Sequence, residues 1–320
     1  MTISAQKKYD LTQSPFYMLR SKKKLATILN LSTPADLMAL TRLDVPYRKF
    51  DAKNKKNTKV RPVQMPCREL YPVHVRMFKL LRRIDLPDYL HSGVTGRSYI
   101  TNAKAHLRTK KTYTVDIKKF YPSVSRTMVY AFFRDTMKCS EDVAGILANI
   151  STCDGHIPTG SSLSQLLAYM ACKNMFDELH AASIEAGIVM TCYVDDLTFS
   201  GETVTRAWVY GTIKPIISKY GLKSHKDKFF GAGKPKEITG VIVNGDVVRV
   251  CNRHHRSIYN LMQNIPETDD TTNLNKIYDE LIGRLSSAAQ IDDAFKARKL
   301  LATRIRRELK ALKTGYVECG

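Results

Sequence analysis

Two adjacent aspartates at the turn between short apolar strands constrain this chain more than any other feature. The segment IVMTCYVDDLTFSG (188–201) reads as a hairpin with Asp195 and Asp196 at its tip. Neighbouring carboxylates repel, and withdrawing them from water at a strand end is costly unless a cation neutralises them. A DD pair by itself is more often a solvated turn, so a third acid decides the matter. The run YTVDIKKFYPSV (113–124) alternates and is rich in β-formers, which puts Asp116 on or at the end of another strand, closed by Pro122. If the two strands are neighbours, three carboxylates converge. Hard oxygen donors of this kind suit two Mg²⁺ ions, which in two-metal phosphoryl transfer lie about 3.5–4 Å apart.

The charge distribution agrees. The 320 residues carry 51 Lys and Arg against 30 Asp and Glu, a formal charge of +21. Residues 1–111 hold 24 basic and 7 acidic side chains (+17), 112–200 hold 6 and 10 (−4), and 201–320 hold 21 and 13 (+8). A merely solvated Lys-rich surface does not predict acids concentrated between basic flanks; carboxylates that hold cations facing phosphates do. A hydrophobic content of 43% is enough for a real core. No uninterrupted apolar run is long enough to span a membrane and MTISAQKKYD lacks a signal-peptide core, so the expectation is a soluble cytoplasmic protein without a membrane partner. The 7 cysteines are scattered and never form CxxC, which argues for reduced thiols rather than a disulfide framework or structural zinc site.

Along the chain, Thr33 and Pro34 open a short helix over 33–44, and two extended runs flank a lysine-rich tip, Asp51 to Thr58. Apolar spacing from Val73 to Leu81 gives a helix, and further helices are expected at 126–138, 140–151, 163–187 and 208–220. EITGVIVNGDVVRV (237–250) is a hairpin in which Asn244-Gly245 provides the positive φ angles of a type I′ turn. From Arg253 to Thr314 the pattern is helical. This order indicates an α+β chain with an antiparallel sheet, without internal repeats.

At this point the residues resemble a family. Tyr193-Val194-Asp195-Asp196, after an apolar strand and before Leu197-Thr198-Phe199-Ser200, resembles the catalytic hairpin of reverse transcriptases. Val115-Asp116-Ile117-Lys118-Lys119-Phe120-Tyr121 is similar to their first palm motif, Pro158-Thr159-Gly160-Ser161-Ser162 to their template-and-nucleotide loop, and Gly221-Leu222 leading to Lys228 to the motif after it. Asn102-Ala103-Lys104-Ala105-His106 and Ile238-Thr239-Gly240 resemble the NAxxH and VTG elements of bacterial retron reverse transcriptases. The resemblance covers roughly residues 45–250. YVDD stands where YADD is commoner in retron enzymes, Thr159 where many reverse transcriptases have Gln, and Gln165 where Pro is common.

The resemblance implies a right-hand polymerase: N-terminal helices and fingers over 1–111, palm over 112–250 and helical thumb over 251–320. Asp116, Asp195 and Asp196 would be catalytic metal ligands for two Mg²⁺, and Lys228, with Lys226 as the register alternative, the acid that meets departing pyrophosphate. Arg61 and Lys59 would grip the incoming dNTP, Tyr121 would block a ribose 2′-OH, and Gly160 would let backbone approach the nucleotide. Asn102, His106, Thr239, Gly240, Arg253 and Arg256 would contact RNA. The implied function is RNA-directed DNA synthesis on a cognate noncoding RNA, primed from a 2′-OH and giving branched multicopy single-stranded DNA. The implied partners are that RNA and its DNA product, dNTPs, host RNase H and a defence effector acting against phage. Other defence-associated or group II-like reverse transcriptases, and a non-catalytic RNA-binding scaffold, are the competing expectations.

Overall fold

The computed structural model describes residues 8–53, 60–108, 111–265 and 271–315. Thr33 caps the helix Pro34–Leu40 in a capping box with Asp36, so the predicted start is found, and the helix stops four residues before the expected end. Strands β1 (Tyr47–Lys53) and β2 (Val60–Pro66) pair as an antiparallel hairpin in which the predicted tip residues Asp51 to Lys53 remain paired, Lys53 opposite Val60. Tyr71–Leu81 and Tyr99–Lys104 are helical, the second capped by Ser98.

The central sheet comprises β3 (Lys111–Ile117), β4 (Val189–Tyr193), β5 (Asp196–Gly201) and β6 (Ser224–Phe230) in the order β4-β5-β3-β6. Its pairings are antiparallel, so the α+β expectation holds. Inner strand β5 buries four successive residues, Leu197 to Ser200, as a strand covered on both faces must. The free side of β4 is closed by residues 89–91: Cys192 N–H donates to the Tyr89 carbonyl at 2.7 Å and His91 N–H to the Cys192 carbonyl at 2.9 Å.

Several sequence expectations are corrected. Strand β3 ends at Ile117 rather than at Pro122: Lys119 turns the chain with φ 50°, and Pro122 sits inside a one-turn helix, Phe120–Ser123. The helix expected over 163–187 is two helices, Ser164–Ala171 and Lys173–Glu185, hinged at Cys172. In the hairpin of β8 (Val241–Asn244) and β9 (Val247–Val250), Asn244 pairs with Val247, so the turn residues are Gly245 and Asp246. Only Gly245 has positive φ there, which rules out type I′. A further strand, β7 (Lys236–Ile238), completes a three-stranded sheet. The C-terminal region is three helices, Asn252–Gln263, Thr271–Ala289 and Ala294–Gly315.

One core runs from Phe16 to Leu222 and joins the N-terminal helices to the central sheet. A second unites Val250 with the three C-terminal helices, and a small third places Ile100 and Ala103 against Ile238, Val241 and Val243. No described helix is long and apolar enough to cross a membrane. Six cysteines in the described residues are free thiols.

Candidate active site

The register of β3 against β5 places Asp116 directly opposite Asp196. Directly opposed residues project to one face of a sheet, so two like charges face each other, which destabilises a strand pair unless something compensates. Tyr193 pairs with Asp196, leaving Val194-Asp195 as a two-residue turn. Val194 has φ 61°, a left-handed conformation that costs a β-branched residue about 1–3 kcal/mol. Its N–H donates to Ser92 Oγ at 2.9 Å, and Ile117 N–H donates to the Asp195 carbonyl at 2.9 Å, so the turn is held from two sides. Burial, then the Asp116 charge, raises the Asp195 carboxyl above the usual range. Burial, then Asp195 and Asp116, raises Asp196 to about 6, against the opposing charges of Lys226 and Lys228.

The compensating cations come from β6. Thr114 pairs with Lys228 and Asp116 with His225, and the register slips between these two pairs. Lys226, at φ 56° in the irregular stretch, sets its Nζ 2.9 Å from Asp116 Oδ2, while His225 Nε2 bonds Asp116 Oδ1. His225 has no counterpart among the sequence-predicted site residues, because its approach depends on a register slip that local sequence does not encode. Lys228 lies with Asp116, Asp196, Lys226, Thr239 and Arg253 around a cavity of about 330 Å³, closed by Glu237 and Gly240. Arg253 Nη2 is 3.6 Å from Glu237 Oε1.

Carboxylate oxygens are the donors that Mg²⁺ prefers, and the raised Asp195 and Asp196 would be relieved by a cation, so the donor chemistry fits a divalent ion. The side chains as they stand are not gathered into a ready cage: among the described residues no group of three or more His, Cys, Asp or Glu is set to hold a metal. Asp116 has both oxygens engaged by His225 and Lys226.

Tyr121 packs half-buried against the main core, and burial followed by the Asp195 charge pushes its phenol up to about 12. Arg61 is exposed on β2, opposite Ala52, and Lys59 lies outside the described residues. Gly160 meets β2 itself: an added Cβ would stand 2.7 Å from Val63 Cγ1 and 2.8 Å from the Gln64 carbonyl oxygen. The close backbone approach that the glycine permits here is to the protein's own strand.

Asn102 and His106 are corrected as well. Both are fully buried, so neither side chain has a surface on which to contact RNA. Asn102 Nδ2 donates to Thr239 Oγ1 at 3.4 Å, and Thr239 Oγ1 donates to the Tyr99 carbonyl at 3.0 Å. His106 bonds Ser200 Oγ at 2.5 Å through Nδ1 and Thr191 Oγ1 at 2.7 Å through Nε2, bracing β4 to β5. Burial lowers its pKa to about 3. Thr239 and Gly240, at φ 46° and 83°, turn the chain at the cavity edge. Arg253 reaches that cavity, whereas exposed Arg256 lines separate cavities of the C-terminal helices.

Comparison with known proteins finds no matching family model. Curated relatives do match. The chain is 26% identical over 250 residues to the retron Se72 reverse transcriptase of Salmonella heidelberg, covering 75% of this chain and 66% of the relative. It is 25% identical over 215 residues to the retron Ec48 reverse transcriptase of Escherichia coli (64% and 52%). It is 22% identical over 220 residues to the retron Ec86 reverse transcriptase of the same species (67% and 68%). The chain thus spans about half to two thirds of the length of these relatives.

Proposed function

We propose that this protein is an RNA-directed DNA polymerase of the retron type. The observation that carries the reading is the cross-strand pair Asp116–Asp196 with Asp195 in the adjoining turn, at the rim of a cavity that also holds lysine and arginine. The relatives' names agree with it. In this reading 1–111 forms fingers, 112–250 palm and 251–320 thumb; the separate core of the C-terminal helices favours the last division.

Asp116, Asp195 and Asp196 would hold two Mg²⁺ ions, which when bound supply Lewis-acid activation of a primer hydroxyl and neutralise the triphosphate. The chain's own groups do the rest. Arg61 presents a guanidinium that can bond phosphate oxygens in pairs. Tyr121, beside Asp195, fills the space a ribose 2′-OH would need. Lys228 would donate a proton to pyrophosphate as it leaves, and Lys226 would balance Asp116. Thr239, Gly240 and Arg253 line the path of the primer–template backbone, and Arg256 extends a basic surface for duplex phosphates along the first C-terminal helix. A retron enzyme of this kind would copy its cognate noncoding RNA from a 2′-OH primer into branched single-stranded DNA. Template removal would fall to host RNase H, and anti-phage defence to a partner effector.

The test is primer extension by the purified chain on poly(rA) annealed to oligo(dT), with dTTP and Mg²⁺. Extension that disappears when Asp195 and Asp196 are both changed to Ala, with RNA binding retained, supports the reading. A wild-type protein that extends nothing overturns it. Sequencing of copurified nucleic acid then tests the retron product, for which a branched RNA–DNA molecule is expected.

A further inference from the structure

His74 lies in the helix Tyr71–Leu81, fully buried, with both ring nitrogens engaged. Nε2 is 2.7 Å from the Ile150 carbonyl oxygen and Nδ1 is 2.6 Å from Ser161 Oγ. A carbonyl only accepts, so Nε2 carries the proton and Nδ1 accepts from the Ser161 hydroxyl. Burial keeps the ring neutral, with its pKa lowered to about 4. Tyr47 donates its hydroxyl to the same carbonyl at 2.9 Å and packs its ring edge-on against the imidazole. Ser161 Oγ, whose hydroxyl donates to His74, accepts the N–H of Leu163 at 3.1 Å. One tautomer thus sets the direction of every bond in the chain from Ile150 to Leu163.

The same loop is stitched on its other side to β2. Thr159 Oγ1 donates to the Pro62 carbonyl at 2.8 Å, Gly160 N–H donates to the Gln64 carbonyl at 3.0 Å, and no space remains for a Cβ at Gly160. The strand fixed in this way is the one that bears Arg61. His74 therefore grips from beneath a loop whose upper side sets the position of a candidate phosphate-binding arginine.

We propose that His74 is a positioning residue for the incoming nucleotide: acting through Ser161, it fixes the 158–162 loop and, through that loop, β2 with Arg61. The inference rests on the polymerase reading, and a buried histidine that only stabilises the core is the alternative it must exclude. Two substitutions separate these roles. His74→Asn keeps an acceptor where Nδ1 stood and loses the donor to Ile150, whereas His74→Gln keeps the donor and loses the acceptor toward Ser161. Ser161→Ala removes the same contact from the loop side, at a partly exposed residue whose loss does not empty the core.

The measurement is steady-state extension of poly(rA)·oligo(dT) with varied dTTP, alongside urea unfolding of each variant. The dTTP KM should rise about tenfold in His74→Gln and Ser161→Ala, with kcat within about threefold of wild type, since a misplaced binding group weakens ground-state and transition-state binding alike. In His74→Asn the KM should stay within about threefold of wild type even if its unfolding midpoint falls further. An unchanged KM in Ser161→Ala, or KM values that follow stability rather than the acceptor at position 74, overturns the inference while leaving the polymerase reading intact. A wild-type protein without extension removes both.

Discussion

Replacing His106 by Ala should cost stability and leave RNA affinity alone. The side chain is fully buried and joins Thr191 of β4 to Ser200 of β5, both themselves buried, by bonds of 2.7 and 2.5 Å. Truncation strands two hydroxyls without their partner, at about 1–3 kcal/mol each, and leaves a cavity besides, so a loss of about 3–5 kcal/mol is expected. The pH dependence supplies an independent magnitude. Burial depresses the folded-state pKa to about 3, and the ordinary value is 6.5. A depressed histidine contributes stability that is whole above the unfolded pKa and drains as pH falls from there toward the folded one. Between pH 7 and 5 that drain is roughly 2 kcal/mol for this one residue. Burial lowers His74 as well, to about 4, and it adds a similar slope in wild type and variant alike, so the difference between the two proteins isolates His106. Urea unfolding at pH 7 and pH 5 measures both quantities. RNA affinity is followed by filter binding to the copurified RNA at pH 7, in the concentration range where the variant is still folded. A variant that unfolds like wild type but binds RNA at least tenfold more weakly would refute the burial argument and return His106 to the RNA surface.

Asp196→Asn should abolish DNA synthesis and yet raise stability in EDTA by about 1–3 kcal/mol at pH 7.5, because burial and two neighbouring carboxylates hold the Asp196 pKa at about 6. The sign is set by a raised carboxyl: its penalty is complete above pH 6 and fades toward the unfolded value of 3.8, so the gain should shrink at pH 5; a destabilised variant in urea would contradict it. Gly160→Ala should destabilise by about 1–3 kcal/mol and raise the dNTP KM, since the Cβ meets β2 backbone that has nowhere to go, and wild-type values for both would show that the loop is free of β2. Tyr121→Ala should let ribonucleotides in, read as ribonucleotide incorporation by primer extension; discrimination equal to wild type removes the steric gate.

The acids at the centre of the site are legible in the sequence because each is announced locally: Asp195 and Asp196 by their adjacency between apolar strands, Asp116 by the alternation around it. Their convergence is a matter of strand order, and the observed β4-β5-β3-β6 sheet brings Asp196 against Asp116 as the carboxylate argument requires. The partners of Asp116 are less legible. Lys226 and His225 reach Asp116 only because β6 slips its register beside Thr114 and Asp116, and a bulge of that kind leaves no mark in composition or periodicity. The boundary expected between 111 and 112 is likewise invisible to packing, because one core spans both sides of it.

Asn102 and His106 show what a motif match conveys and what it leaves out. The match picks out residues without saying which way they face, and for Asn102 helical spacing carries that second piece of information. Asn102 lies on the side of the short helix that buries Ile100 and Ala103, so helical geometry directs it inward, whereas His106 follows in the turn after the helix ends at Lys104, its N–H donating to the Ala103 carbonyl at 3.1 Å. Once inside, each ties distant parts of the site: Asn102 holds Thr239 at the cavity edge, and His106 cross-braces the hairpin that ends in Asp195 and Asp196. Substituting Asn102 should therefore disturb nucleic-acid handling indirectly, through the Thr239–Gly240 bend, whereas substituting His106 loosens β4 from β5 and costs stability. In the proposed reading, direct electrostatic contact would fall to exposed cations such as Arg253 and Arg256. Those two classes separate by salt: changing an exposed arginine should flatten the dependence of RNA binding on salt concentration, while changing Asn102 should shift affinity at every salt concentration by the same factor.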